Sequence, residues 1–171
     1  ALFASVYLGA RPIVEALDAG ADIVITGRVA DASLFLAPLV HEFGWAWDDW
    51  DRLSAGVTIG HLLECSAQVT GGNYSGDWWA HGDFSRPGFP IAECDASGEA
   101  VITKPDGTGG VVSFDTILYG PAATLLEQLQ SAGVAKADGV DRNCQSARCS
   151  RTRPGPERTD SAVMRPPTRS R

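Results

Sequence analysis

Long hydrophobic runs and paired cysteines are both missing from this chain of 171 residues. Its apolar runs are far shorter than the roughly 18 residues that a membrane helix needs, and no basic segment precedes an apolar one as in a secretory signal. The four cysteines (Cys65, Cys94, Cys144 and Cys149) form no CxxC pair, which argues against a structural zinc site or a disulfide framework. We therefore expect a cytoplasmic protein with no membrane partner, in which Cys65 and Cys94 are single buried thiols.

Basic residues are scarce over most of the chain. Residues 1–141 carry six Lys and Arg against nineteen Asp and Glu, an excess of thirteen negative charges. This argues against nucleic acid as a partner, because phosphate neutralisation requires clustered Lys and Arg. Residues 142–171 instead carry eight Arg and two acidic residues. Their composition predicts a disordered basic tail or an interaction arm, and its abrupt onset favours a frameshift product.

The first forty residues alternate between strand-like and helix-like patterns. The run LFASVYL and the β-branched run DIVIT flank an amphipathic segment that begins near Pro12 and ends at Gly20. We expect Ile23 to Thr26 to be a buried strand. A second helix follows, with Asp31 as its N-cap and a kink or restart at Pro38. This order predicts βαβ units and a partial parallel sheet, hence an α/β fold.

The rest of the chain changes character. Asp48 or Asp49 is placed to cap a helix that continues through GVTIGHLLECSAQV. Residues 75–91 are typical of a long loop, and residues 98–116 predict two short strands around a glycine-rich turn. The parallel unit is therefore expected to precede a glycine-rich strand and loop region. We place one domain at residues 4–116, an uncertain helical segment at residues 117–141 and the tail at residues 142–171.

The stretch ITGRVADASL has the composition of a ligand site. Gly27 and Arg28 would lie at the carboxyl end of the predicted strand, where parallel sheets bind ligands. Asp31 would start a helix whose free N–H groups point to the same space. Arg28 could clamp a carboxylate or a phosphate. The alternative is that Asp31 caps its helix and pairs locally with Arg28.

A second candidate is formed by His61, Glu64 and Cys65, which share one face if the segment is helical. We assign His61 and Glu64 to proton transfer. The alternative without a catalytic role is that His61 is half-buried and hydrogen-bonded to Glu64, one helical turn away. The spacing is not that of a metal helix, so no metal is assigned, and the sequence names no cofactor.

Two glycine-rich turns, TGGNY and TKPDGTGGVV, can present backbone N–H groups as an anion nest. Neither is a P-loop or a dinucleotide fingerprint, and ordinary hairpin turns would explain both. We expect Gly27, Arg28 and Asp31 to line one pocket with Lys104 and the turn Gly107 to Gly110. The candidate ligand-binding residues are Gly27, Arg28, Asp31, Gly71, Gly72, Asn73, Lys104, Gly107, Thr108, Gly109 and Gly110.

Four ordered blocks carry a family resemblance: VYLGARPIVEALDAGADIVITGRVADASL, HEFGWAWDDWDRLSAG, GHLLECSAQVTGGNY and GEAVITKPDGTGGVVS. From about residue 4 to residue 115 the chain resembles the N-terminal domain of the acyclic terpene utilisation (AtuA) family. The resemblance implies bacterial catabolism of citronellol- or geraniol-type isoprenoids, at the level of their coenzyme A thioesters. After Asp115 the sequence departs from the family pattern. Because the family's domain is longer and the chain begins with Ala1, we expect a copy truncated at both ends.

Three functions are consistent with these observations. The first is an enzyme that binds a small anionic substrate, such as a branched acyl-CoA or carboxylic acid. The second is an accessory module for an acyl-CoA enzyme, with a protein partner or a second copy bound at WAWDDW and DWWAHG, since tryptophan is favoured at interfaces. Those tryptophans could equally fill a core. The third is a damaged gene product without function.

Overall fold

The computed structural model describes residues 2–80, 83–118 and 162–164. The helices are α1 (Arg11–Asp18), α2 (Ser33–Phe43), α3 (Trp50–Glu64) and α4 (Phe114–Leu118), with a π-turn at Gln68–Gly72 and a 3₁₀ turn at Trp78–Ala80. The strands are β1 (Ile91–Cys94), β2 (Ala100–Thr103) and β3 (Ala162–Met164). They form one antiparallel sheet in the order β1-β2-β3. The fold is mixed α/β, with three helices preceding the sheet.

Helix α1 is set by local sequence. Pro12 lies in its first turn, where a missing N–H costs nothing, and Ile13 and Val14 are buried. Past its end, Gly20 has a φ of +86°, and its N–H donates to the Leu17 carbonyl at 2.8 Å. The next N–H, of Ala21, reaches the Ala16 carbonyl at 3.1 Å. This is the Schellman arrangement, so the predicted glycine stop is confirmed.

The predicted parallel sheet is wrong for the described residues. The two extended segments on either side of α1 meet in a single parallel bridge, Leu8 to Val29. Ile23 and Ile25 are 82% and 92% exposed, so Ile23 to Thr26 is not a buried strand. Val24 does pack against the helical core, and its neighbours face outward as extended backbone requires. A run of β-branched residues shows only that the segment can adopt an extended conformation. Whether it is buried depends on the other segments that pack against it.

Helix α2 starts later than expected. Its N-cap is Ala32, with no side-chain cap bond, so the prediction that Asp31 caps the helix is wrong. The helix also runs through Pro38 as one element, so the predicted restart is wrong, whereas a kink there stays a prediction. Pro38 and Leu34, whose carbonyl loses its partner, are both exposed. Water can therefore satisfy that carbonyl, and the break is avoided.

Helices α2 and α3 pack closely because two glycines of α3 face α2. A Cβ at Gly56 would lie 2.6 Å from Leu36, and one at Gly60 would lie 2.7 Å from the Ala32 carbonyl oxygen. The N-cap of α3 is Asp49, whose carboxylate accepts from the Arg52 N–H at 3.3 Å, which confirms one of the two predicted caps. The apolar pattern predicted that the helix continues to Val69, but it ends at Glu64.

The aromatic segment between α2 and α3 belongs to the helical core. Trp45 is buried, stacks on Phe43 with ring centroids 5.7 Å apart, and donates from Nε1 to the Ala96 carbonyl at 3.0 Å. This bond ties the hairpin turn to the helices. Trp47 packs against the same core, and the Arg11 guanidinium lies 4.8 Å from its ring centroid. The alternative that tryptophans fill a core holds for these two.

One of the two strands predicted in residues 98–116 is confirmed as β2. Its partner β1 was not predicted: it starts at Ile91, the last residue of the predicted loop of residues 75–91, and pairs with β2 from Ile91–Thr103 to Cys94–Ala100. No second strand follows the glycine-rich turn; the chain enters α4 instead. A capping box starts that helix, since the Ser113 N–H donates to Thr116 Oγ1 at 2.9 Å and the Thr116 N–H to Ser113 Oγ at 3.2 Å.

A second hydrophobic cluster joins the sheet to the end of the helical part. Its buried members are Leu62, Val69, Ile102, Val112 and Ile117. In the part of the chain that the structure describes, no helix is long and apolar enough to cross a bilayer.

Strand β3 comes from the basic tail. It pairs with β2, with Ala100 opposite Met164, so the expectation that the tail forms no packed structure is wrong for these three residues. The rest of that tail, and the predicted helical segment after residue 118, lie outside the described residues.

Candidate functional site

A cavity of about 430 Å³ lies where the first extended segment meets the start of α2 and the middle of α3. This volume is within the usual range of small-molecule sites, about 300–1,000 Å³. Its lining is Tyr7, Ala30, Asp31, Ala32, Ser33, Leu36, Val57 and His61. The lining thus combines an apolar wall with a phenol, a carboxylate, a hydroxyl and an imidazole, the composition expected of a pocket for a small organic ligand.

His61 is held in this pocket by its own helix. Its Nδ1 lies 3.0 Å from the Val57 carbonyl oxygen. A carbonyl only accepts, so Nδ1 carries the proton and Nε2 is the acceptor in the neutral ring. The neighbouring Gly60 brings the helix backbone against Ala32. This close approach brings His61 into one cavity lining with Asp31, a link between the two residues that the sequence did not reveal.

Asp31 exerts its charge on both sides of the pocket. Its carboxylate contributes, after larger effects, to raising the pKa of Arg28 and of Cys65. Asp31 does not cap α2, and it lines the cavity. The predicted candidates Asp31 and His61 are therefore brought together, on elements thirty residues apart in sequence.

Arg28 lies next to this lining, on Tyr7. Its Nη2 donates to the Tyr7 hydroxyl, and its guanidinium carbon lies 4.5 Å from the ring centroid. The hydrogen bond and charge of Tyr7, followed by Asp31, raise the pKa of Arg28 above its ordinary value. Sequence reasoning missed Tyr7, which lies in a run typical of a strand, and Ser33, which no motif marks.

Glu64 and Cys65 are not part of the lining. The Cys65 thiol donates to Glu64 Oε1 at 2.7 Å. Burial, followed by the hydrogen bond and charge of Glu64, raises the pKa of this thiol to about 11. Cys65 is exposed and Cys94 half-buried, so the prediction of two buried thiols is wrong for Cys65. The carboxylate that accompanies His61 in the pocket is Asp31, whereas Glu64 bonds the thiol.

Across residues 2–80, 83–118 and 162–164, no three His, Cys, Asp or Glu side chains are grouped so that they could hold a metal ion. The second histidine of the helical part, His41, instead links helices, with its Nδ1 2.6 Å from Asp18 Oδ1.

The two glycine-rich turns meet each other. The Val111 N–H donates to the Thr70 carbonyl at 3.0 Å, and the Gly109 N–H to the Arg86 carbonyl at 2.8 Å. Gly71 has a φ of +101°, and a Cβ there would lie 2.4 Å from the Phe84 ring. The glycines thus allow close backbone packing around buried Thr70.

Lys104 closes its own turn, donating from Nζ to the Thr108 carbonyl at 3.0 Å. The lining of the cavity includes neither Lys104 nor any residue of the turn Gly107 to Gly110. Gly27 is exposed, with open space around it. The single pocket shared by Arg28, Lys104 and this turn stays a prediction.

These features define a mixed α/β protein with a small-molecule-sized pocket between its second and third helices. The sequence profile described as acyclic terpene utilisation family protein AtuA matches residues 1–119. The chain belongs to this family, and all the lining residues of the pocket fall within the match. None of the curated proteins and none of the solved structures compared with the chain matches it.

Proposed function

We propose that this chain is the substrate-binding part of a cytoplasmic enzyme of acyclic terpene breakdown, acting on a branched acyl thioester or carboxylic acid. The observation that carries the proposal is the convergence of Asp31 and His61 on one cavity with an apolar wall. The description of the family, acyclic terpene utilisation, supports an acyclic terpene derivative as the substrate. An imidazole whose Nε2 is an acceptor can take a proton from a bound substrate.

The apolar wall suits the hydrocarbon part of such a substrate. Leu36 and Val57 line the cavity, and each buried CH₂ of a ligand would contribute about 0.8 kcal/mol. Arg28 supplies a positive charge next to the pocket lining, through its contact with Tyr7. The apolar wall would hold the hydrocarbon chain of the substrate, and the charge of Arg28 would attract its polar end, so that this end faces outward.

The test is a calorimetric titration with geranyl-CoA. Wild-type protein should bind it, and Val57→Phe, which fills the cavity, should weaken binding by at least about 10-fold, since roughly 1.4 kcal/mol corresponds to that factor. Val6→Phe is the matched control, because Val6 is exposed and lies outside the lining. A wild-type protein that does not bind geranyl-CoA, or equal binding by Val57→Phe, would contradict the proposal.

A second function, the accessory module, is favoured by one surface feature. Trp78 and Trp79 are 51% and 71% exposed and pack edge to face with centroids 5.9 Å apart. Exposed aromatic clusters of this kind are typical of protein interfaces. Trp78→Ser with Trp79→Ser should then abolish co-purification with a pathway acyl-CoA enzyme while leaving geranyl-CoA binding intact. Unchanged co-purification would remove this alternative.

A further inference from the structure

We propose that Tyr7 is the pocket's hydrogen-bond donor to the carbonyl oxygen of a neutral acyl ligand, and that Arg28 is a positioning residue that acts through Tyr7. This deepens the function proposed for the pocket and rests on it. It differs from a direct arginine clamp on an anion, because Tyr7 lines the cavity and Arg28 does not.

The geometry of the pair assigns the two roles. Arg28 contacts Tyr7 twice, by a hydrogen bond to the hydroxyl oxygen and by its guanidinium over the ring, 4.5 Å from the centroid. Two contacts from one planar group fix both the ring and its oxygen. Because arginine only donates, the phenol oxygen is the acceptor in this bond. Its own proton must therefore point elsewhere.

Within residues 2–80, 83–118 and 162–164, the hydrogen bond of the Tyr7 hydroxyl is the one that it accepts from Arg28, so its proton has no acceptor there. It is thus available to a ligand in the cavity that the ring lines. A hydroxyl that accepts from a cation becomes a stronger donor, since hydrogen bonds in a chain polarise one another. The arrangement guanidinium to phenol to ligand oxygen is suited to a carbonyl group that gains negative charge during a reaction.

The charge of the lining selects among carbonyl compounds. Asp31 lies in the same lining, whereas Arg28 does not and its guanidinium is engaged with Tyr7. The charge that a ligand meets in the lining is therefore the negative charge of Asp31, which disfavours a carboxylate placed against it. An acyl thioester, ester or amide carries no such charge and presents the same carbonyl oxygen to Tyr7. Among the two substrate classes proposed above, the pocket is therefore matched to the neutral acyl derivative.

A double-mutant cycle tests the inference, with citronellamide and citronellate as matched neutral and anionic probes. Tyr7→Phe and Arg28→Ala should each weaken citronellamide binding by roughly 10-fold. The double variant should lose no more than about 20-fold in citronellamide binding, since the two residues act as one unit. Wild-type protein should prefer the amide to the carboxylate. Tyr74→Phe is the control, because its hydroxyl bonds Asp77 outside the pocket.

The outcomes separate this inference from the function on which it rests. A double variant weakened by roughly 100-fold would show that Arg28 contacts the ligand independently, and a preference for citronellate would overturn the neutral class. Failure of the wild-type protein to bind either probe would overturn the proposed function itself. Both side chains are exposed, with Tyr7 at 53%, so melting temperatures should be unchanged. Arg28→Met, which keeps the alkyl stem, replaces Arg28→Ala if they are not.

Discussion

Gly60 controls how closely α3 approaches the start of α2, and with it the position of His61. A Cβ at this residue would lie 2.7 Å from the Ala32 carbonyl oxygen and 2.8 Å from the Ala32 Cβ. Both obstacles are on or next to the backbone, so a rotamer change cannot relieve them. The pocket's geometry therefore depends on a residue that has no side chain.

We predict that Gly60→Ala lowers the free energy of unfolding by about 1–3 kcal/mol through overpacking, and weakens ligand binding by displacing His61. Urea denaturation followed by far-UV circular dichroism measures the first effect. Gly27→Ala is the matched control, since nothing lies within 4 Å of a Cβ there. Equal stability of the two variants would show that the helices can separate without cost.

The second prediction at this scale concerns Cys65. Because the pKa of its thiol is raised to about 11, the reactive thiolate is rare at neutral pH. Alkylation by iodoacetamide, followed by peptide mass mapping, should therefore increase with pH well beyond the value of about 8.5 typical of a free thiol. Glu64→Gln removes the charge that disfavours the thiolate and should speed the reaction at pH 8. A midpoint near 8.5 in the wild-type protein would contradict the raised pKa that burial and Glu64 together produce, and an unchanged rate in Glu64→Gln would contradict the part assigned to Glu64.

At the scale of elements, the hairpin β1–β2 depends on the side chain of Asp95. Its Oδ1 accepts from the Ser97 N–H at 2.8 Å and from the Ser97 hydroxyl at 2.6 Å. These bonds, with the Ser97 hydroxyl as the first cause, lower the pKa of Asp95. Gly98 completes the turn at a φ of +87°. The tip then reaches the helices through the bond from Trp45 to Ala96.

A carboxylate with a lowered folded-state pKa contributes stability above its unfolded-state pKa and loses that contribution as pH falls through the folded value. The melting temperature of the wild-type protein should therefore exceed that of Asp95→Ala by a constant amount from pH 5 to 8. The difference should shrink below about pH 4. Asp106→Ala serves as the control. A difference that grows on acidification would reverse the assigned sign.

Element ends that depend on neighbouring residues could be predicted from the sequence, and elements that depend on distant partners could not. Pro12 and Gly20 bound α1 through contacts within a few residues. The run from Ile23 to Thr26 has equal β propensity, yet it meets its neighbour only at the bridge from Leu8 to Val29. The β propensity of a segment shows that it can adopt an extended conformation, whereas strand pairing depends on which other segments lie beside it.

The same distinction applies to the candidate site. Each of Asp31 and His61 could be picked out from the sequence by itself, Asp31 at the predicted start of a helix and His61 as a candidate for proton transfer. The two residues line one cavity because α3 packs on Ala32. The spacing of residues in the sequence does not predict this packing. Tyr7 gave no signal at all, since an aromatic residue in an extended apolar run is ordinary.

At the scale of the whole molecule, the described chain has two hydrophobic clusters, one among the first helices and one beneath the sheet. Large apolar side chains stay exposed on both sides of α1, including Phe3, Ile23 and Ile25. The pocket lies beside this surface, since Tyr7 belongs to the same extended segment as Phe3.

The central claim is that a branched acyl ligand binds between α2 and α3, and chemical-shift mapping locates it most directly. The protein, labelled with ¹⁵N, is titrated with geranyl-CoA while its backbone amides are observed. The largest shift changes should fall at Tyr7, at Asp31 to Ser33 and at Val57 to His61. Changes confined to the turn Gly107 to Gly110, or to Trp78 and Trp79, would contradict the account.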